Sequence, residues 1–452
     1  MIINPNIFRM YDIRGRAGKD ISEEFSYRLG RAYAQLMPKD LPRSVSVGRD
    51  CRLSSKIYSD ALIDGLNDGG VNTLDLGMVP TPVLYFSLFH RDLGGGIVIT
   101  GSHNPPEDNG FKLSSGRNAI YGPEIQKLAK LMSQTVLPKS PSRGTTESVD
   151  LVPEYLDYME KNLNLSRPMK VVIDAGNGAT SEIAPELFEK IGADVIPLFC
   201  SPDGKFPNHH PDPTQPETLV SLIEEVKRSG AEIGIAFDGD GDRIGVVDAS
   251  GRIYWGDELL VLFSRSILRK NPGAMIISEV KASQRLYQEI ENLGGKPLMW
   301  KTGHSLIKSK MRETGALLAG EMSGHIFFAD RYFGYDDALY AAARLIELLS
   351  STSKPINELL ADLPKTSVTP EIRVPCEDEK KFSVVDKVRD HFSKYYDVND
   401  IDGVRINFSD GWGLVRASNT QPALVLRFEA SSDEKLEALQ NEVREIVNNA
   451  SG

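Results

Sequence analysis

The chain is poor in cysteine: three thiols in 452 residues, Cys51, Cys200 and Cys376, lie far apart with no Cys or His partner at metal-ligand spacing. Neither a disulfide framework nor a cysteine-held zinc site can be built on that pattern, and a reducing compartment fits. An excess of positive charge is also missing: 52 Lys and Arg against 63 Asp and Glu give a net charge of -11. That balance argues against a surface coated for nucleic acid or membrane. It leaves an anionic substrate open, because a cleft can be basic beneath an acidic surface. Long apolar runs are absent, none approaching the roughly 20 residues of a membrane span. The stretch "MIINPNIFRMYDIRG" has no basic n-region or apolar h-region. A cytoplasmic protein, with no membrane and no nucleic acid as partner, is expected.

What is present is the composition of a folded protein, 40% hydrophobic and 25% charged. The chain is too long for one core and suggests three or four domains. One pattern appears three times: "SVSVGRD…ALIDGLNDGGVNTLDLG", "MKVVIDAGNGATSEIAPELFEKIGADVIPLF" and "AMIISEVKASQRLYQEIENLGGKPLMW". In each, a β-branched run precedes a helical pattern, and a glycine suited to a left-handed helix end (Gly192 and Gly294 among them) leads into another strand. Such βαβ units predict mostly parallel, helix-covered sheets and three related α/β domains. The last stretch differs. Strand-like "EIRVP", "GVRINFS", "GWGLVRAS" and "ALVLRFEAS" are interleaved with helices near Lys380–Tyr395 and at the end, which predicts an α+β domain with antiparallel pairing. The terminal helix is expected to open on a Ser431/Glu434 capping box and to bury Leu436, Leu439, Val443 and Ile446. "SQTVLPKSPSRGTTES" (133–148) and "LPKTSVTPEIRVP" read as linkers, and Asp248 to Arg252 as a weaker boundary.

Four loops carry chemistry. "FDGDGDR" follows the strand-like "EIGIAF" and sets Asp238, Asp240 and Asp242 on alternate residues around Gly239 and Gly241. Three carboxylates so close repel one another and call for a hard cation with oxygen ligands. An EF-hand does not fit, since Arg243 stands where its glycine belongs and Ala249 where its bidentate glutamate belongs. Magnesium is the better reading; a solvated acidic loop is the bland one. "TGSHNPP" presents Ser102 after an apolar strand, yet it is not a GxSxG elbow and no triad surrounds it. A phosphoryl group on Ser102 would supply an anionic ligand for that metal, which suits phosphoryl transfer; an ordinary turn serine is the alternative. His103 and Asn104 could orient the loop. "RASNTQP" packs Arg416, Ser418, Asn419 and Thr420 into a phosphate-shaped donor set. "AGEMSGHIFF" offers Glu321, Ser323 and His325, a carboxylate and hydroxyl suited to vicinal sugar hydroxyls. Tyr11, Arg14, Lys112, Lys281 and His304 are weaker single candidates.

Taken together and in this order, "TGSHNP", "DGDGDR", "GEMSGH" and "RASNTQP" resemble the four signature loops of the α-D-phosphohexomutase family, and the likeness extends to "YDIRG" and "GRDCRLSS". Within it, the chain is most similar to the bacterial phosphomannomutase/phosphoglucomutase branch. Cys51 departs from the family pattern, where glycine is expected. The resemblance implies a fold of three related α/β domains with mixed sheets plus a C-terminal α+β domain like the TATA-binding protein, all around a central cleft. The expected division is 1–147 (phosphoserine loop), 148–251 (metal loop), 252–365 (sugar recognition) and 366–452 (phosphate binding).

The resemblance also implies roles. Ser102 would carry the phosphoryl group and, with Asp238, Asp240 and Asp242, hold Mg2+. Glu321 and Ser323 would grip the sugar's 3- and 4-hydroxyls. Arg416, Ser418, Asn419 and Thr420 would bind the non-reacting phosphate. Arg14, His103, Lys112, Arg243, His304 and His325 would surround the reaction centre, with Tyr11 and Lys281 lining the same cleft. The implied activity is reversible transfer between C1 and C6 of mannose or glucose phosphates, by an isomerase needing a hexose 1,6-bisphosphate as activator and intermediate. A monomer is expected, closing by a hinge near Thr366 to Thr369. Phosphoglucosamine mutase is the alternative within the family. An aspartyl phosphatase using Asp238, which leaves Ser102 unexplained, and a silent sugar-phosphate sensor are the alternatives outside it.

Overall fold

A computed structural model of the protein describes residues 3–134, 136–418 and 422–451. It contains four sheets in chain order. The first runs Ile13–Arg16, Asp108–Ser115, Gly95–Ile99, Ser44–Arg49, Asn72–Met78 and Thr146–Ser148, with Asn118–Ala119 added to the second of these. Its central pairs are parallel, whereas Asp108–Ser115 runs antiparallel to both neighbours. The second sheet is ordered Ile253–Tyr254, Ile244–Asp248, Ile233–Phe237, Lys170–Asp174, Asp194–Leu198, and the third Lys296–Trp300, Met275–Glu279, Leu318–Gly320, Ile326–Phe328. Each again combines parallel βαβ pairs with an antiparallel return strand. The sheets are therefore mixed. The return strand matters for function, because it brings the chain back beside the loop that leaves the central strand.

Alternation along the strands decides the layering. Ile97 and Ile99 face one core while Val98 faces another; Val172 opposes Val171 and Ile173 in the same way, and Ile277 opposes Ile276. One face of all three sheets opens into a single cluster, filled by Val83, Tyr155, Leu187, Leu260 and Ala342 from helices packed between them. The three α/β units thus share one continuous core. The C-terminal sheet is antiparallel throughout, buries Val404, Val415, Leu426 and Phe428 under helices Lys381–Phe392 and Asp433–Ser451, and has its own core. Val280, Trp412 and Leu414 join it to the third unit. There Arg405 donates to the carbonyls of Val280 (2.7 Å) and Ala282 (2.8 Å) while stacking on Trp412 at 3.7 Å.

Several local expectations are corrected. The stretch 133–148 is not wholly a linker: Thr146–Ser148 adds a parallel edge strand to Asn72–Met78, and Arg31 fastens the preceding loop at Leu137 O (2.9 Å). Asp248 to Arg252 keeps its place as a boundary but is a hairpin turn in form, its second strand Ile253–Tyr254 pairing with Ile244–Asp248. In the linker before the last domain Ser367–Val368 is an unexpected strand, paired with Ala423–Ala430 beside the expected strand Ile372–Pro375. At the terminal helix Ser432, not Ser431, accepts from Lys435 N at 3.3 Å, and Val447 rather than Ile446 completes the fully buried stripe. The glycine turns of the repeats are as expected, with positive φ at Gly70, Gly192 and Gly294. The three cysteines are free. Among the described residues no helix is long and apolar enough to cross a membrane.

Candidate active site

Ser102 sits three residues past the strand Gly95–Ile99, in a left-handed conformation (φ 49°) rare for a residue with a side chain. Its amide donates to Thr100 Oγ1 at 2.7 Å, and its Oγ lies 2.7 Å from Asp238 Oδ2 and 3.0 Å from His103 Nδ1. Asp238 follows the strand Ile233–Phe237 and heads a tight turn. Its Oδ1 accepts from the amides of Asp242 (3.0 Å) and Arg243 (3.1 Å), with Gly241 at φ 77° allowing the reversal. Asp238, Asp240 and Asp242 are wholly buried, with carboxylate oxygens within 4.8 Å of one another.

Lys112, delivered by the antiparallel return strand opposite Val98, is the protein's own counter-charge. Its Nζ lies 2.6 Å from Asp240 Oδ2 and also contacts Asp242, while Thr81 Oγ1 donates to Asp240 Oδ2 at 2.5 Å. Burial, and then repulsion from Asp240 and Asp242, pushes the Asp238 carboxyl well above the usual range. Burial also opposes ionisation of Asp240, but Lys112 outweighs it and holds that carboxyl below its ordinary value. Asp240 Oδ1 and Asp242 Oδ1 have no hydrogen-bond partner among the described residues. Buried, orphaned carboxylate oxygens at this spacing fit a hard divalent cation.

The opposite wall holds two stacked imidazoles, His304 and His325, with centroids 5.4 Å apart. Arg243 Nε donates to His325 Nε2 at 2.9 Å, so in the neutral ring Nδ1 carries the proton; it faces Asp336 Oδ2 at 3.2 Å and Asp242 Oδ1 at 3.6 Å. Asp336 also lies 3.4 Å from His304 Nδ1 and 2.6 Å from Lys308 Nζ. Burial, then Lys308, holds His304 well below its ordinary value; burial, then Arg243 and Arg14, does the same to His103. Both rings are therefore neutral near pH 7.

These groups open onto a cavity of about 1080 Å³ lined by all four units. Its walls include Tyr11, Arg14, Ser102, His103, Lys112, Arg243, Lys281, His304, Glu321, Ser323, His325, Arg416 and Ser418. The structure thus brings every described candidate either to this cavity or, for the three aspartates, directly behind Ser102. Asn419 and Thr420 lie outside the described residues. Among the described lining residues, nine Arg and Lys face five Asp and Glu, so the cleft is basic within an acidic protein. Glu321 is buried and accepts from Gly303 N at 2.7 Å; Tyr11 donates to Thr302 O at 2.7 Å. Arg416 reaches Asp402 at 3.1 Å, and Lys281 pairs with Glu371 at 3.3 Å across the third and fourth units. Although burial opposes it, Lys281 and Arg373 draw the Glu371 carboxyl down to about 2.

Sequence reasoning missed Thr81, Lys308, Asp336 and Glu371, and also Arg427, which lines the cavity. The pair "DD" at 336–337 ahead of an apolar helix was a usable signal, since a helix N-cap needs only one carboxylate and Asp337 fills that place. The others carry no local signal.

Three mixed α/β units and an antiparallel α+β unit around one basic cleft define the architecture of a hexose-phosphate mutase. Comparison with known proteins agrees over the whole chain. Four family models match in order: phosphoglucomutase/phosphomannomutase alpha/beta/alpha domain I at residues 5–136, domain II at 153–251, domain III at 255–367, and the C-terminal domain at 371–446. A phosphomannomutase/phosphoglucomutase of Pseudomonas putida is 49% identical, covering 97% of this chain and 95% of that one. A phosphoglucomutase of Neisseria meningitidis is 44% identical over 98% and 97%. A crystal structure of a phosphoglucomutase/phosphomannomutase family protein from Burkholderia thailandensis superposes with a TM-score of 0.94 at 44% identity, covering 99% and 98%. The chain belongs to the phosphoglucomutase/phosphomannomutase family, and it is an isomerase.

Proposed function

We propose that this enzyme interconverts the 1- and 6-phosphates of mannose and glucose through phospho-Ser102 and a hexose 1,6-bisphosphate. The observation that carries the reading is Ser102 Oγ held 2.7 Å from Asp238, on the floor of a basic cavity and against a buried acidic triad. The names of the relatives, phosphomannomutase/phosphoglucomutase and phosphoglucomutase, favour these sugars over glucosamine phosphate.

Asp238, Asp240, Asp242 and an oxygen on Ser102 would hold Mg2+. When bound, that ion neutralises charge on the phosphoryl group in transit. The protein's own groups do the rest. Arg416, Ser418, Asn419 and Thr420 bind the phosphate that is not reacting, and Glu321 with Ser323 fixes the sugar. The sugar's free hydroxyl then attacks phosphorus as its proton passes to a neutral histidine, and the bond from phosphorus to Ser102 Oγ breaks. His103 and His304 suit the proton step because burial keeps them uncharged. Lys112 is less suited, since Asp240 and Asp242 hold it as a cation, and its part is electrostatic. The bisphosphate turns over, and its other phosphate returns to Ser102 by the same bonds in reverse. One phosphate pocket serving both orientations accounts for reversibility. An enclosed cleft protects phosphoserine from water. The enzyme acts as a cytoplasmic monomer of four units, 1–147, 148–251, 252–365 and 366–452, in this reading.

A coupled assay on wild type and Ser102→Ala, with magnesium and a trace of bisphosphate, tests the reading. Glucose 1-phosphate, mannose 1-phosphate and glucosamine 1-phosphate are compared. Turnover of the first two, abolished in the variant, is expected. Inorganic phosphate release without isomerisation would instead favour an aspartyl phosphatase.

A further inference from the structure

The loop carrying Ser102 is held from behind by a group that never meets the cavity. Arg52 is fully buried, and all five of its guanidinium hydrogens are used. Nε donates to Asp50 Oδ2 at 3.1 Å. Nη1 donates to Pro105 O and, at 2.9 Å, to Asp108 O; Nη2 donates to Ser102 O at 2.7 Å and Asn104 O at 2.6 Å. Four backbone carbonyls of the segment 102–108 thus converge on one side chain. Asp50 completes the clamp: the same Oδ2 accepts from Gly101 N at 3.1 Å, and Oδ1 accepts from Arg52 N at 3.0 Å and from Ser55 Oγ. Phe206, from the second unit, covers the guanidinium at 5.1 Å.

The fit is tight on both sides. A Cβ on Gly101 would lie 2.6 Å from Arg52 Cζ, and one on Gly239 would lie 2.4 Å from Ser102 O. The Ser102 carbonyl is therefore trapped between Arg52 and the backbone of the acidic loop, which sustains the left-handed turn that aims Oγ at Asp238. On the cavity side Arg14 also grips the loop, through Gly101 O and Asn104 Oδ1, both at 2.8 Å. Arg14 lines the cavity and Arg52 does not.

We infer that Arg52 is a positioning residue for phosphoryl transfer: it holds the loop in one geometry while Ser102 alternates between hydroxyl and phosphoryl ester. The inference rests on Ser102 as the carrier. That alternation adds and removes about two negative charges within a few ångströms of three carboxylates, so a loop free to recoil would swing the ester out of line and toward water. Asp50 neutralises Arg52, so the clamp acts through geometry and does not draw the phosphoryl group backward. Lysine in its place would keep the charge but could not reach four spread carbonyls.

The test compares wild type, Arg52→Lys, Asp50→Asn and Ser102→Ala as whole enzymes, each normalised to its folded fraction by thermal melt. Three quantities are read with glucose 1-phosphate: kcat, KM, and inorganic phosphate released per isomerisation. The last counts events in which water oxygen bonds to phosphorus, the bond to Ser102 Oγ breaks, and a water proton ends on the serine. Arg52→Lys is expected to lower kcat at least about tenfold, leave KM within about twofold, and raise phosphate loss per turnover about fivefold or more. Asp50→Asn should show the same pattern more weakly, and it decides the matter if Arg52→Lys does not fold. Wild-type kcat and phosphate loss in the folded variants would overturn the clamp, as would a kcat loss with unchanged phosphate loss. Isomerase activity surviving in Ser102→Ala would overturn the phosphoserine reading itself, and the clamp with it.

Discussion

Lys112 Nζ lies 2.6 Å from Asp240 Oδ2, both groups buried, although 128 positions separate them in the chain. This ion pair joins the first α/β unit to the second under the reaction centre. It also means that a cation compensates the acidic triad before any metal binds. Removing it leaves buried carboxylates uncompensated, which typically costs about 3–5 kcal/mol.

Lys112→Met is therefore expected to lower the melting temperature markedly in EDTA and much less in millimolar magnesium, because a bound divalent ion supplies the missing charge. Paired thermal melts check this. Equal destabilisation in both buffers would count against a cation site at the triad.

Metal removal should silence wild type, with activity restored by magnesium. Since the ion binds the folded state, saturation at about 100 times Kd adds about 2.7 kcal/mol of stability. Asp242→Asn is expected to abolish both the restoration and most of that stabilisation, as read by calorimetry with and without magnesium.

Arg416→Gln should act on the substrate's non-reacting phosphate and leave the phosphoserine chemistry alone. A charge-assisted bidentate contact is lost, so kcat/KM for glucose 1-phosphate is expected to fall about 10²–10³-fold. Phosphorylation of Ser102 by bisphosphate at saturating concentration should fall much less. Rapid-quench transfer from labelled bisphosphate separates the two effects.

Asp337 offers a pH dependence away from the chemistry. Its carboxylate accepts from Tyr155 (3.0 Å), Tyr332 (2.8 Å) and Tyr340 N (2.9 Å), yet burial pushes it up to about 7, against 3.8 ordinarily. The folded state therefore keeps a proton that the unfolded chain gives up. This group's contribution is intact below about pH 4 and is lost as pH rises toward 7, a swing of up to about 4 kcal/mol. An asparagine side chain cannot ionise, so the stability of Asp337→Asn relative to wild type should climb between pH 4 and 7 and level off above. Urea unfolding across that range measures it; a flat difference would refute the assignment.

Much of this protein was legible in its sequence. Alternating Asp and Gly after "EIGIAF" marked the acidic loop, because carboxylate spacing and backbone freedom are properties of adjacent residues. "TGSHNP", "GEMSGH" and the described part of "RASNTQP" were legible as loops at the cavity for the same reason, as were the glycine turns of the three repeats and the antiparallel character of the last domain. Local errors came where two neighbours compete for one role, as with Ser431 and Ser432 at the helix cap, or Ile446 and Val447 on the buried stripe. Thr146–Ser148 was hidden because an edge strand of three exposed polar residues has no hydrophobic period to announce it.

The sequence by itself determined which residue types stand in each loop and on which strand or helix they ride, since periodicity and turn chemistry act over a few positions. Only the tertiary structure decided that three sheets share one core, that Lys112 pairs with Asp240, that Asp336 serves two histidines, and that Arg52 holds the Ser102 loop. Those relationships depend on packing between segments from about ten to more than a hundred residues apart. Burial alone turns such groups from solvated side chains into paired ones.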